Sequence, residues 1–105
     1  METIHWYNYL AAFLAGAFLI NAIPHLVQGL SGNYFPTPFA KPPGRGLSSP
    51  LVNTLWAFGN LIAGFFLFKA GKIDFDINLT LFLFFVGMVI MGIVSTINFS
   101  NKMKM

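Results

Sequence analysis

The chain has 105 residues, of which 56 % are hydrophobic and only 9 % charged, with a net charge of +3 and no cysteine. A soluble domain carries roughly a quarter charged residues, and short chains bury the smallest share of their surface, so a water-soluble fold could not hide this much apolar area. The missing cysteines exclude a disulfide framework and thiolate chemistry, and six scattered Lys and Arg residues make no nucleic-acid footprint.

The first predicted element is a membrane-spanning helix over about residues 8–30. About 20 apolar residues cross the hydrocarbon core, and Thr3 to Ala40 contains no Lys, Arg, Asp or Glu. Around its start, Trp6, Tyr7 and Tyr9 are spaced as an interfacial aromatic belt. Ala15-Gly16-Ala17 has the form of a signal-peptidase site. The basic n-region of a signal peptide is missing, however, and the nearest charge is Glu2, so the segment is expected to remain as a span. Residues 31–49 are a loop rich in proline, with Pro36, Pro38, Pro42 and Pro43 inside it and Pro50 at its end. Proline removes backbone donors and fixes φ, which excludes a helix or a central strand here and predicts extended, polyproline-type turns. Tyr34, Phe35 and Phe39 are too aromatic for a free linker, and predict a loop folded back onto the helix ends.

The second helix is predicted over about 50–68, with Ser49 as its cap and Pro50 at its first position, where the missing N–H costs nothing. A polar turn follows, with Gly71 as C-cap. Asp76 is expected to cap a third helix over about 77–98. The fold class is therefore all-α, a single integral membrane bundle of three transmembrane helices with a Pro-rich loop between helices 1 and 2. Three spans put the loop and the C-terminal tail on one side with Lys41, Arg45, Lys102 and Lys104. Lys69 and Lys72 lie on the other. Four against two favours a cytoplasmic loop and C-terminus, and an N-terminus outside.

Asn21, His25 and Gln28 lie at i, i+4 and i+7, on one face of the first helix and close to Pro24. Asn53, Trp56, Asn60 and Gly64 share a face of the second. In an antiparallel pair, the register that sets Asn21 against Asn60 also sets His25 against Trp56 and Gln28 against Asn53. An unpaired amide in hydrocarbon costs about 1–3 kcal/mol or more. A hydrogen bond between membrane helices returns on the order of 0.6 kcal/mol. These side chains thus orient the helices inward more than they drive association. Ser95, Thr96 and Asn98 of the third helix are placed to complete the ring.

Two readings of the stripe stand side by side. It is structural glue, or Asn21, His25, Gln28, Asn53, Trp56 and Asn60 form a ligand-binding pocket between helices 1 and 2. Pro24 frees the Ile20 carbonyl and is expected to kink the helix beside Asn21. Ala12/Gly16, Ala11/Ala15, Gly59/Ala63 and Gly92/Thr96 are small pairs that permit close helix approach, within a protomer or between protomers. Leu81 to Phe85 is expected to be lipid-facing bulk or core. No span carries Asp, Glu, Lys or Arg, which disfavours a carboxylate proton relay or a voltage sensor. His5 and His25 stand a membrane crossing apart, so they do not share a metal within one protomer. No nucleophile–base pair or phosphate loop is present, and no catalytic or metal-binding residues are expected.

The stretches PHLVQGLSG, FPTPFA, PPGRGLSSP and LVNTLW, between Pro24 and Trp56, resemble a pattern in small, uncharacterised bacterial inner-membrane proteins. The resemblance covers about a third of the chain. It implies a bacterial inner membrane and a loop whose shape belongs to the fold, with no activity, cofactor or site residues attached. The functional expectation is a non-enzymatic, oligomeric binding or transport module, with the bilayer and further copies as partners. The alternative is an accessory subunit of a larger membrane complex. A His25-dependent redox or enzymatic subunit ranks last, because one histidine without a partner acid is thin chemistry.

Overall fold

A computed structural model describes residues 3–74, 76 and 78–102. The elements are α1 (Trp6–Leu30), β1 (Phe35–Pro36), β2 (Leu47–Ser48), α2 (Pro50–Ala70) and α3 (Leu79–Ser100). All three helices are long and apolar enough to cross a membrane. The molecule measures 52 × 23 × 19 Å, so its long axis exceeds the ~30 Å hydrocarbon core and reaches the headgroups. Large apolar side chains point outward along α2 (Leu55, Phe58, Ile62, Phe65, Phe66) and α3 (Phe82, Phe85, Val89, Ile93, Ile97). Such faces are stable against acyl chains and not against water. The fold is that of a small multi-pass membrane protein, all-α apart from one two-stranded ladder.

The helix ends follow local capping. α1 begins at Trp6, two residues before its expected start, because the His5 amide donates to Asn8 Oδ1 at 2.8 Å. The same Asn8 donates through Nδ2 to the Ala70 carbonyl at 2.8 Å and so ties the end of α2 to the start of α1. Ser49 caps α2 as expected, its hydroxyl accepting from the Val52 amide at 3.2 Å. α2 runs on to Ala70 with Gly71 as C-cap, though in the right-handed region (φ −75°). Glycine is needed there for room, since a Cβ would lie 2.8 Å from Ala12 Cα.

The expected start of the third helix, residue 77, lies outside the described residues. α3 is capped by Asn78, which accepts from the Leu81 amide at 3.0 Å, and not by Asp76. Asp76 stands two residues too early, and its amide donates to Asp74 Oδ1 instead.

α1 occupies the middle, with α2 and α3 packed on either side of it. The two outer helices meet edge to face at Phe68 and Phe84, 5.3 Å apart. α1 can take the centre because Ala11, Ala12, Ala15, Gly16, Ala17 and Ala22 keep its buried surface low. A Cβ at Gly16 would collide with the Phe84 carbonyl oxygen, and one at Gly87 with the Phe13 carbonyl oxygen, so α1 and α3 touch backbone to backbone. Gly59 has no such neighbour and faces outward. Leu81 to Phe85 does both of the things expected of it: Phe82 and Phe85 are exposed, and Phe84 packs inward. Pro24 lies within an uninterrupted α1.

The loop folds back. β1 and β2 pair antiparallel, Phe35 opposite Ser48 and Pro36 opposite Leu47. Both strands are edges, so Pro36 is tolerated where a central strand would reject it. Buried Thr37 knots the loop, its hydroxyl 2.6 Å from that of Ser48 and accepting from the Phe39 amide at 3.2 Å. A left-handed Gly44 (φ 75°) turns the Pro-rich tip.

Candidate functional site

The inward polar residues of α1 and α2 come together as two linked sets. Deeper in the membrane, Asn21 Nδ2 donates to Asn60 Oδ1 at 3.1 Å, and Asn60 Nδ2 donates to the Trp56 carbonyl at 2.9 Å. Nearer the loop, His25 Nδ1 lies 2.8 Å from Asn53 Oδ1, with His25 only 2 % and Asn53 0 % exposed. Asn53 Nδ2 shares its two hydrogens among the carbonyls of Phe35 (2.9 Å), Ser48 (3.2 Å) and Ser49 (3.1 Å). One α2 side chain thereby holds α1, the loop and its own helix start.

That network sets the state of His25. The Asn53 amide nitrogen must face the three carbonyls, because a flipped amide would set its oxygen against three acceptors. Oδ1 therefore faces His25, and Nδ1 of a neutral ring must carry the proton. Nε2 is left with the lone pair, and it accepts from no described residue. Three rings enclose the imidazole edge-on: Phe35 of the loop at 5.5 Å, Trp56 of α2 at 6.4 Å and Phe99 of α3 at 5.6 Å. Phe39 covers the outer side of Trp56 at 5.2 Å. Trp56 Nε1 is buried and has no hydrogen-bond partner among the described residues.

Five of the six sequence-predicted residues thus lie together: Asn21, His25, Asn53, Trp56 and Asn60. The Asn21–Asn60 and His25–Trp56 pairings form. The Gln28–Asn53 pairing does not. His25 and the carbonyls already saturate Asn53, while Gln28 accepts from Asn33 Nδ2 at 2.9 Å on the surface. Ser95, Thr96 and Asn98 do not complete the ring either. Thr96 donates to the Gly92 carbonyl of its own helix at 2.9 Å, and Asn98 is exposed. α3 closes the site with Phe99 instead. Phe35 and Phe99 were not singled out by spacing, since each comes from a segment far from the stripe. Among the described residues no three His, Cys, Asp or Glu side chains gather.

Two hollows lie outside the α1–α2 interface. A groove of about 380 Å³ between α1 and α3 is lined by Ile20, Ile23, Pro24, Phe35, Gly92, Ser95, Thr96 and Phe99. Phe35 and Phe99 are its wall toward His25. A hollow of about 500 Å³ lies at the opposite end of the molecule, beside Tyr9, Lys72 and Asn78.

Fold and cluster together define a class: a three-span helical membrane protein with a buried His–Asn–Trp cluster beneath a folded-back loop. No protein-family model, curated protein or solved structure matches the chain.

Proposed function

We propose that the protein is a membrane-embedded binding module whose ligand is a small uncharged molecule held at His25 and Trp56. The observation that supports this reading is the buried Trp56 indole N–H without an acceptor, beside an imidazole whose Nε2 accepts from no described residue. Buried polar groups are nearly always paired, and each exception calls for a cause. An N–H resting on a ring face regains only a fraction of a hydrogen bond. A hydroxyl suits both groups, since its oxygen accepts from the indole and its hydrogen donates to Nε2.

Asn21, Asn53 and Asn60 satisfy one another and position the two binding rings. Gln28 stands outside this set. Three helices enclose little volume, so a transport or channel role requires several protomers. The resemblance to small bacterial inner-membrane proteins and the excess of Lys and Arg on the loop side support a bacterial inner membrane with that side cytoplasmic. The second reading, an accessory subunit of a larger complex, draws on α3. Only Thr80 and Gly87 are buried along it, leaving a broad face for another membrane protein.

The test is native mass spectrometry of protein released from lipid nanodiscs, for the wild type, His25→Leu and Trp56→Phe. A retained small molecule, lost from both variants at unchanged far-UV circular dichroism, is the expected result. Equal retention by both variants, or a wild type that carries nothing, removes the reading. Co-purification of a stoichiometric membrane partner points to the second one.

A further inference from the structure

We propose that the α1–α3 groove holds an acyl chain of an anionic phospholipid, whose phosphate is bound by Arg45, Lys102 and Lys41. Three observations converge on one end of the molecule. The groove is apolar along most of its length, and Gly92 keeps it open, since a Cβ there would meet only Ile20 Cγ2 at 4.0 Å. Its upper wall, Phe99, offers its carbonyl to Lys102 Nζ at 3.3 Å, which sets an ammonium at the groove's mouth. Arg45 reaches across from the loop, its Nε donating to the Asn101 carbonyl at 3.2 Å. The loop closes tightly enough that Gly46 lies against the Lys41 carbonyl, so Lys41 belongs to the same tight turn as Arg45.

Charge selects the occupant. Lys41, Arg45 and Lys102 are all exposed, and none is paired with a carboxylate among the described residues. The described acidic residues, Asp74 and Asp76, sit in the turn between α2 and α3 at the far end. Among the described residues Arg45 uses only Nε, so both Nη groups remain for a phosphate, in the fork geometry that guanidinium offers. A zwitterionic headgroup would bring its own ammonium against three cations. Cations at this depth attract anionic lipid by about 1 kcal/mol each. The site is separate from the His25 cluster, from which Phe35 and Phe99 divide it, and does not depend on that cluster's role.

The experiment is native mass spectrometry of the full chain from nanodiscs containing equal amounts of phosphatidylglycerol and phosphatidylcholine. The wild type is expected to retain phosphatidylglycerol about tenfold or more over phosphatidylcholine. Arg45→Gln with Lys102→Gln should bring that ratio close to one. Both substitutions lie on the surface and leave the helices intact by circular dichroism. Gly92→Phe, and independently Ser95→Phe, should abolish retention of both lipids by filling the groove. Lys69→Gln, at the other end, controls for net charge and should change nothing. Three results overturn the proposal: equal retention of the two lipids by the wild type, an equal effect of Lys69→Gln, or displacement of the lipid by millimolar inorganic phosphate, which marks a free-anion site.

Discussion

Asn53 and Asn60 are both buried asparagines on the same face of α2, yet they carry very different loads. Asn60 makes one bond to Asn21 and one to its own helix. Asn53 joins His25 to three carbonyls from the loop and the helix start. Asn60→Ala is therefore expected to cost about 1 kcal/mol, since it removes an interhelical bond worth about 0.6 kcal/mol and leaves the half-buried Asn21 amide without its acceptor. Asn53→Ala should cost about 3 kcal/mol, because it strands the Phe35 carbonyl and the His25 Nδ1–H together. Asn53→Asp should be at least as harmful, since its carboxylate would face the same carbonyls that now accept. Thermal unfolding in one detergent ranks the three, and an Asn60→Ala loss equal to that of Asn53→Ala would refute the assignment. Much of this was legible in the sequence. Polar residues spaced at i, i+4 and i+7 in an apolar span must turn inward, and antiparallel pairing matched Asn21 with Asn60. The partners of Asn53 were not legible, because three of its four are carbonyls placed by the fold of the loop. Gln28 misled for a related reason: five residues from Asn33, at the end of a helix, it finds a surface partner first.

Small residues tell a similar story at the level of the helices. Ala12/Gly16 and Gly59/Ala63 have the same spacing, and nothing in the pattern says which of them a neighbour covers. The answer is set by α1 lying between α2 and α3, which places Gly16 against the α3 backbone and leaves Gly59 toward lipid. Gly16→Ala and Gly87→Ala should each destabilise by about 1–3 kcal/mol, because the obstructing atoms are carbonyl oxygens that cannot rotate away. Gly59→Ala should be neutral, or stabilising by up to about 1 kcal/mol through helix propensity alone. Unfolding of the three single variants in dodecylmaltoside checks the contrast. If Gly59→Ala destabilises as strongly as Gly16→Ala, Gly59 meets another protein surface, and the protomer is not the working unit. The loop divides along the same line. Its proline content excluded helix and central strand, and its aromatic residues implied return to the helix ends. The short β1–β2 ladder rests on the Thr37–Ser48 contact, a pairing across eleven residues that composition cannot show.

For the whole molecule, the remaining question is which way it sits. The odd number of spans places the 31–49 loop and the C-terminal end together, and the Arg45–Asn101 bond holds them in contact. Their side carries four Lys and Arg residues, counting Lys104, which lies outside the described residues; the opposite end carries Lys69, in the last turn of α2, and Lys72. The bias is small, so few charges should suffice to upset it. The chain has no cysteine, so a single cysteine at exposed Asn33 or exposed Asp74 reports orientation without background. In intact cells, a membrane-impermeant maleimide should label Asp74→Cys and spare Asn33→Cys. Converting Asp74 and Asp76 to lysine brings the balance to four against four, and Asn33→Cys in that background should become partly accessible from outside. The orientation follows Lys and Arg near the span ends rather than net charge. Replacing the same two residues with asparagine, which removes acid without adding base, should therefore leave Asn33→Cys protected. Labelling of Asn33→Cys in the otherwise unchanged protein would place the basic end outside, and the anionic lipid at its groove would then have to come from the outer leaflet.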